Sequence, residues 1–485
     1  MKQYFVGVDL GSANVVMVVG SREEGQQSIN IEGTSIQNNK RSIKQGRICT
    51  ALSSAVPNLS SAIINAKEEL EDELGIKIEQ AYFGLGDSNT RCVIVEDMLA
   101  VRNKRTGVIG NEEIVLLRQL ISQIKPESPA EGVWERSPLC YFVNGTKQII
   151  DPTGLQGSWL KARYMLTVGT NDQHNCLKHL HHRVGMEMQK IFVTPTITYP
   201  LFVSPQEAME GVVIVDLGHE VTDVTIVRDN RVQYFRSLPV GAELIDADLK
   251  SILPKNSDIS KIKHCYGRAI SSDIPENEVI KDGNKEIIRR NIATVIEARL
   301  MDIAELVGKV VRESGFAEFI PHGYVLTGGT SSLELIEELF ERELNRPCRK
   351  VETLHGINIK NNSDILITPV EHAAVAIMLH AATFSASYVK ELDIVESKPK
   401  KEATPADVKP AQPTPRPVAP VSKVVPKPAT PAPAPAPVKE EPKTEPTTPT
   451  EEQEAPETPQ TTNGNMFGKF FRYISRQMGS DDKAK

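Results

Sequence analysis

VDLGSAN, residues Val8–Asn14, is the first of two similar glycine turns in this 485-residue chain. It bends directly into the apolar run Val15–Val19, and VDLGHE at Val215–Glu220 bends in the same way towards Val224–Val227. Each copy follows an apolar strand and carries an acidic residue at the bend, so the duplication predicts two β-hairpins in two similar lobes. A third glycine turn, VLTGGT at Val325–Thr330, follows another apolar strand.

The residue types at these turns predict a nucleotide between the two lobes. Backbone N–H groups at a glycine turn can cradle phosphate oxygens, and carboxylates can order a hydrated Mg²⁺. Asp9 and Asp216 are the carboxylates that the pattern offers for such a cation. One Asp-Leu-Gly bend would be an ordinary turn, and it is the duplication that makes the pattern specific.

The composition restricts the class of protein. A net charge of −7 and a pI near 5.9 argue against general nucleic-acid binding. The six cysteines contain no Cys-x-x-Cys pair, which is typical of reduced cytosolic thiols. The N-terminus does not resemble a signal peptide, and no apolar run approaches the roughly 20 residues that span a bilayer. We therefore expect a cytoplasmic protein, unless one end of the chain attaches it to a membrane.

The composition changes near Lys398. Residues 399–459 contain 18 of the 32 prolines, mixed with Ala, Lys, Glu and Thr. Such a segment cannot bury enough apolar surface to offset its ordering entropy, so we expect an extended, disordered linker over 399–464.

An amphipathic helix is predicted after the linker, over residues 465–479. At helical spacing its apolar residues fall on one face and its basic residues on the other, which is typical of an interfacial membrane anchor. We expect weak binding by a monomer and firm binding by an oligomer, because avidity multiplies a weak contact. The predicted membrane-binding residues are Phe467, Phe470, Phe471, Ile474 and Met478, with Lys469, Arg472 and Arg476 opposite them.

Helices are predicted at several places before the linker. Val56–Leu74 has apolar residues at helical spacing, and Glu286–Ser314 is a long stretch with few helix breakers. Leu333–Leu344 follows the Gly-Gly loop, and Ala373–Phe384 is typical of a buried, Ala-rich helix.

The chain resembles the bacterial cell-division FtsA family, within the superfamily of actin, sugar kinases and Hsp70. The resemblance covers roughly residues 4–390 and again the terminal helix. It is carried by DPTGLQG at Asp151–Gly157, VIEAR at Val295–Arg299, YVLTGG at Tyr324–Gly329, and Pro239–Gly241 followed by Asp248 and Leu249.

The resemblance implies an α/β fold of two RNase-H-like, actin-like lobes with an inserted small α+β domain, a disordered Pro-rich linker and a C-terminal amphipathic helix. Residues 1–83 and 166–194 would form the first lobe, 84–165 the inserted domain and 195–398 the second lobe.

The resemblance also implies ATP and Mg²⁺ as cofactors, with Asp9 and Asp216 near the metal. The implied partners are the C-terminal tail of the tubulin-like protein FtsZ, a second copy in an actin-like filament, inner-membrane lipids and other division proteins at the septum, but no nucleic acid. Arg289 and Arg290 would meet the FtsZ tail. The implied cofactor-binding residues are Asp9, Gly11, Ser12, Asn14, Asp216, Gly218, Gly241, Glu297, Gly328 and Gly329.

Two departures from the family pattern bear on this expectation. His219 and Glu220 replace two glycines of the second phosphate turn, and their side chains would crowd the phosphate while the carboxylate repels it. Asn14 stands where the family often has a Lys, which removes a cation. We therefore expect weakened ATP binding and at most slow hydrolysis.

Three functions are compatible with the sequence. The first is an FtsA-type protein that anchors FtsZ polymers to the cytoplasmic face of the inner membrane. The second is an ATP-dependent enzyme of the same superfamily, a sugar kinase or an Hsp70-type ATPase, which would need intact phosphate turns. The third, a pilus-assembly actin homologue, does not explain the linker and the terminal helix.

Overall fold

The computed structural model describes residues 2–49, 53–102, 106–145, 148–359 and 365–383, and the predicted linker and terminal helix lie outside them. The strands of the described part are β1 Lys2–Leu10, β2 Asn14–Glu23, β3 Ile29–Asn38, β4 Ile43–Lys44, β5 Arg47–Ile48, β6 Gln80–Leu85, β7 Arg91–Ala100, β8 Glu131–Val143, β9 Trp159–Thr170, β10 Glu187–Val193, β11 Val212–Leu217, β12 Thr222–Arg228, β13 Arg231–Leu238, β14 Val279–Asp282, β15 Lys285–Ile288, β16 Tyr324–Thr327, β17 Cys348–Lys350 and β18 Ile357–Asn358.

The helices of the described part are α1 Ala55–Leu74, α2 Asn111–Ser122, α3 Asn171–Val184, α4 Thr194–Ile197, α5 Tyr199–Phe202, α6 Pro205–Glu210, α7 Ala242–Ile252, α8 Ile259–Tyr266, α9 Arg289–Glu313, α10 Ile336–Leu344 and α11 at 372–383. Short 3₁₀ turns occupy Ala317–Phe319 and Gly329–Ser332. Among the described residues, no helix combines the length and the apolar character needed to cross a membrane.

The duplication in the sequence is a duplication in the fold. In the first lobe β1, β2 and β3 form an antiparallel meander, and β6 and β10 add to the β1 side in parallel. In the second lobe β11, β12 and β13 form the same meander, and β16 and β17 add in parallel to the β11 side. The predicted pair of similar α/β lobes is confirmed.

Helix α11, which the sequence predicts to be buried, packs between the two sheets. Ala374, Val375 and Met378 are buried in one apolar cluster with residues of both sheets. The approach to the first sheet is close, because a Cβ added to Gly7 would lie 2.4 Å from the Ala374 carbonyl oxygen. Glycine at this strand position therefore lets the helix backbone approach the strand.

Strands β7, β9 and β8 form the segment that the sequence suggested as an insertion. They are antiparallel, carry α2 on one side, and have an apolar cluster of their own around Leu117, Tyr164 and Leu166. They also extend the sheet of the second lobe, because Arg91 of β7 pairs with Arg236 of β13. The residue bounds of the five predicted parts of the chain stay a prediction.

Two predicted helix starts differ from the structure. The stretch predicted as helical from Glu286 begins as strand β15, which pairs with β14, and α9 begins only at Arg289. The helix predicted from Leu333 begins at Ile336, after a 3₁₀ turn and the left-handed residue Leu335 (φ 61°). In both places contacts with neighbouring segments override a local helical pattern.

Candidate functional site

The three glycine turns converge on one cleft. The cleft contains a cavity of about 170 Å³, and all three turns contribute to its lining. The structure therefore brings together residues that lie more than 300 positions apart in the sequence. The predicted cofactor-binding residues that line this cavity are Asp9, Gly11, Ser12, Asn14, Asp216, Gly218, Gly328 and Gly329.

Short backbone contacts explain why glycine occupies two of these turns. The Gly218 N–H donates to the Val221 carbonyl (3.0 Å), and a Cβ at 218 would lie only 2.8 Å from that carbonyl oxygen. Gly328 has a φ of 82°, and a Cβ there would lie 2.2 Å from Asp216 Oδ1. Glycine at 328 thus allows the third turn to lie directly against the aspartate of the second.

Three half-buried aspartates, Asp9, Asp216 and Asp223, give the cleft its electrostatic character. Burial, with repulsion from Asp216 and Asp223, raises the pKa of Asp9 to about 8. Burial raises the pKa of Asp216 to about 6, and burial with repulsion from Asp216 raises the pKa of Asp223 to about 7. Desolvation and like charge both disfavour the ionised forms, so the cleft favours a bound cation.

The residues present fit a phosphate group that arrives with a divalent cation. Within the described part of the chain, no hydrogen bond is found for the N–H groups of Ser12, Ala13 and His219 or for the buried atom Thr194 Oγ1. No Lys or Arg is among the described residues that line this cavity. A phosphate would therefore receive backbone N–H groups, while a cation would have to balance its charge against the aspartates.

A metal ion held by protein side chains alone, without phosphate, would need several ligands close together. Among the described residues, no group of three or more His, Cys, Asp or Glu side chains is arranged to hold a metal ion. The predicted roles of Asp9 and Asp216 are thus compatible with a hydrated cation held through water and phosphate, which is how Mg²⁺ commonly binds.

A second, larger cavity of about 430 Å³ adjoins the first. The residues that line both cavities are Ala13, Asn14, Gly218, His219, Gly329 and Val370. The second cavity extends towards α8 and the N-terminus of α9, and its lining includes Lys263, His264, Cys265, Gly267 and Arg289. A ligand with a phosphate end in the first cavity therefore has room for an organic group in the second.

Gly241 and Glu297 line neither cavity. Gly241 lies behind the second turn, where a Cβ would be 2.5 Å from the His219 carbonyl oxygen. Glu297 accepts hydrogen bonds from the N–H and the hydroxyl of Ser271 (2.9 and 2.7 Å) and pairs with Arg342 (3.1 Å). Both residues stabilise the walls of the site in this structure, and their predicted contacts with a ligand stay predictions.

His219 and Glu220, the unusual pair of the second turn, point to different places. His219 lines both cavities, whereas Glu220 lines neither. The Glu220 carboxylate instead accepts the backbone N–H of Gln45, 175 positions earlier in the chain, at 2.5 Å. The expected clash between this carboxylate and a phosphate is therefore absent from the described geometry.

Arg289 and Arg290 are both engaged in ion pairs. Arg289 pairs with Glu278 (2.8 Å), donates to the Tyr266 carbonyl (3.2 Å) and lines the second cavity. Arg290 pairs with Glu276 (2.8 Å). Their contact with an acidic tail stays a prediction. A tail that binds both arginines would have to displace Glu278 and Glu276.

Two cleft residues, Asp223 and Thr194, were missed by the sequence reasoning. Asp223 could have been found, because in the β11–β12 hairpin it lies directly opposite Asp216. Thr194 follows β10 and carries no local pattern that would mark it. Only the parallel pairing of β10 with β6 brings it to the cleft.

Sequence comparisons relate this chain to one family of proteins. The family model described as cell division protein FtsA matches residues 213–392. The cell division protein FtsA of Pseudomonas aeruginosa is 25% identical over 387 residues, which cover 77% of this chain and 88% of that protein. FtsA of Bacillus subtilis is 23% identical over 357 residues, covering 72% and 78%.

A solved structure supports the fold. The PilM-PilN type IV pilus biogenesis complex contains a chain that matches with a TM-score of 0.54 and 14% sequence identity, covering 78% of this chain and 98% of that one. At this identity the match is informative about the fold alone, which is the actin-like arrangement of two lobes.

Proposed function

Because this chain is a homologue of the FtsA cell division proteins, we propose that it acts in cell division as an actin-like scaffold. In this proposal the cleft binds ATP with Mg²⁺, copies of the chain self-associate, and the terminal helix attaches them to the cytoplasmic face of the inner membrane. FtsZ polymers would be captured through the C-terminal tail of FtsZ, with Arg289 and Arg290 as candidate contacts. The observation that carries the proposal is the convergence of the three glycine turns on one cleft, in a chain related to FtsA over most of its length.

The charges of the cleft determine how the nucleotide should bind. Asp9, Asp216 and Asp223 lie in the lining, and no lining Lys or Arg of the described residues opposes them. Phosphate oxygens brought in without a cation would meet like charge at low dielectric. The backbone N–H groups of Ser12 and Ala13 would orient the phosphates, and Mg²⁺ would supply the charge balance.

Calorimetric titration of ATP tests this part of the proposal. We expect binding to the full chain with Mg²⁺ and at least about a tenfold loss of affinity with EDTA, which corresponds to about 1.4 kcal/mol. Phosphate release under the same conditions separates a scaffold from the alternative of a superfamily enzyme, because rapid turnover would favour the enzyme. Equal ATP affinity with Mg²⁺ and with EDTA would contradict the charge argument.

The terminal helix is tested separately, because it lies outside the described residues. Phe470→Glu with Phe471→Glu should release the full chain from anionic liposomes, since the apolar face would lose two large side chains. Lys483→Glu, beyond the predicted helix, is the matched control and should sediment with the liposomes as the original chain does. Unchanged sedimentation of the double variant would remove the anchor from the proposal, while leaving the cleft untouched.

A further inference from the structure

The short hairpin of β4 and β5 is part of the first lobe. Ile43 and Ile48 are buried in the apolar cluster that β1, β2, β6, α1 and α3 of that lobe form. The side-chain amide of Gln173 in α3 accepts the Ile48 N–H (2.8 Å) and donates to the Ile48 carbonyl (3.3 Å). The turn of the hairpin, Gln45 and Gly46, therefore stands on a base that is packed into the first lobe.

This turn contacts both glycine turns of the cleft. The Gly46 N–H donates to Ser12 Oγ of the first turn (3.2 Å), and the Gln45 N–H donates to the Glu220 carboxylate of the second turn (2.5 Å). Glu220 lies between β11 and β12, so the bond from Gln45 joins the two lobes. Helix α11 also contacts both sheets, but the Glu220–Gln45 bond joins the lobes at the glycine turns themselves.

Gln45 is held in a backbone conformation that is uncommon for a residue with a Cβ. Its φ of 50° is left-handed, and such a residue persists where surrounding contacts compensate for the strain. Here the Gln45 carbonyl oxygen accepts the Ser88 N–H (3.2 Å), while its own N–H meets Glu220. The donor that faces the second lobe is therefore preorganised.

The Glu220 carboxylate has charged neighbours of both signs. It is half-buried, and burial raises its pKa, as does repulsion from Glu243, while the Gln45 N–H, His219 and Lys44 oppose this rise. Glu243 is exposed, and its own N–H donates to the His219 carbonyl (2.7 Å), which places it beside the second turn. Both glutamates thus bring negative charge to this turn, but Glu220 is the one that bonds to the first lobe.

We propose that Glu220 is a latch between the two lobes. Its carboxylate holds the second glycine turn on the hairpin of the first lobe, so the two turns separate only after the Glu220–Gln45 bond breaks. An ionised acceptor makes this bond stronger than a neutral one would. A glycine, which the family pattern has at this position, could not form it. The latch itself needs no ligand, whereas its consequence for ATP, a slower escape from the closed cleft, rests on the proposed function.

Distances between two spin labels test the latch without a nucleotide. The labels are attached to azide-bearing residues that replace exposed Glu68 of α1 and exposed Lys281 of β14 in the full chain, so the native cysteines stay unlabelled. We expect one distance in the original chain and an additional, longer distance in Glu220→Ala. Glu243→Ala removes the same charge beside the same turn and should keep the single distance. Circular dichroism of each variant checks that the fold is retained.

Release of a fluorescent ATP analogue, bound with Mg²⁺, measures the consequence for the nucleotide. Release should be about tenfold faster from Glu220→Ala, because a hydrogen bond to a charged group contributes enough free energy for a factor of this size. Glu220→Gln keeps an acceptor oxygen without the charge, so its release rate should lie between those of the Ala variant and the original chain. Glu243→Ala should not accelerate release.

Three outcomes would overturn the latch. The first is the same label distances in Glu220→Ala as in the original chain. The second is equal opening in Glu220→Ala and Glu243→Ala, which would assign the effect to charge alone. The third is faster hydrogen exchange of the Gln45 N–H at unchanged label distances, which would show a local bond that does not hold the lobes. A longer distance in Glu220→Ala, in a chain that fails to bind the analogue, would support the latch and contradict ATP binding.

Discussion

Gly328→Ala should destabilise the protein far more than the same change one residue later. Gly328 has φ 82° and ψ 162°, a region that residues with a Cβ avoid at a cost of about 1–3 kcal/mol. The new methyl would lie 2.2 Å from Asp216 Oδ1 and 2.8 Å from Leu217 N, and overpacking of this kind costs about 1–3 kcal/mol. Alanine also lowers the conformational entropy of the unfolded chain, which adds about 0.4–1 kcal/mol to the free energy of unfolding. The net loss in the free energy of unfolding therefore lies between about 1 and 5.6 kcal/mol, with a midpoint of about 3 kcal/mol.

Gly329→Ala is the matched control. A Cβ at 329 would meet only Val370 Cγ2, at 3.5 Å, an ordinary van der Waals distance. We expect its free energy of unfolding to stay within about 1 kcal/mol of the original. Urea denaturation followed by circular dichroism measures both variants under one condition. Equal losses in the two variants would refute the account of the third turn, because both add the same methyl to the same loop.

Two further predictions concern buried charges. Burial lowers the pKa of His372 to about 4, so its contribution to stability is present above pH 6.5 and is lost as the pH falls from 6.5 towards 4. The stability difference between the original chain and His372→Gln should therefore decrease by about 2 kcal/mol between pH 6.5 and pH 5, and a constant difference would contradict it. Arg299→Met should cost about 3–5 kcal/mol, because buried Arg299 pairs with Asp248 (2.7 Å) and Asp302 (3.2 Å), which would lose their counter-charge. Urea titration checks this value, with Arg312→Met, an exposed arginine of the same helix, as the control that should change by less than 1 kcal/mol.

Local spacing predicted much of the fold. The run Val15–Val19 after the first turn, and its counterpart after the second, predicted two hairpins, and both occur in equivalent meanders. Helix α1 follows the predicted spacing and ends at Gly75, whose left-handed φ of 64° a glycine adopts without strain. These features depend on neighbours within a few positions, so the sequence itself expresses them.

Which side chains face the cleft depends on contacts between residues that are far apart in the sequence. The turns were expected to hold a phosphate, but Glu220 was expected to oppose it, and its carboxylate instead contacts Gln45. Glu297 accepts hydrogen bonds from Ser271 and Arg342, and its contact with a ligand stays a prediction. Several polar residues far along the chain could bind each of these two glutamates, and no local sequence pattern indicates which one does.

The duplicated lobes, the three turns and their aspartates can all be predicted from the sequence, because glycine at a tight bend and apolar residues at strand spacing are local requirements of the backbone. Contacts between distant residues bring Asp223 and Thr194 to the cleft, and they place the Asn39 amide against the Gly11 and Ser12 carbonyls of the first turn. They also place Arg289 in the lining of a cavity while it is bound to Glu278. These outcomes follow from strand pairing and side-chain packing between residues far apart in the chain, where burial and charge compensation choose the partner after the local structure has formed.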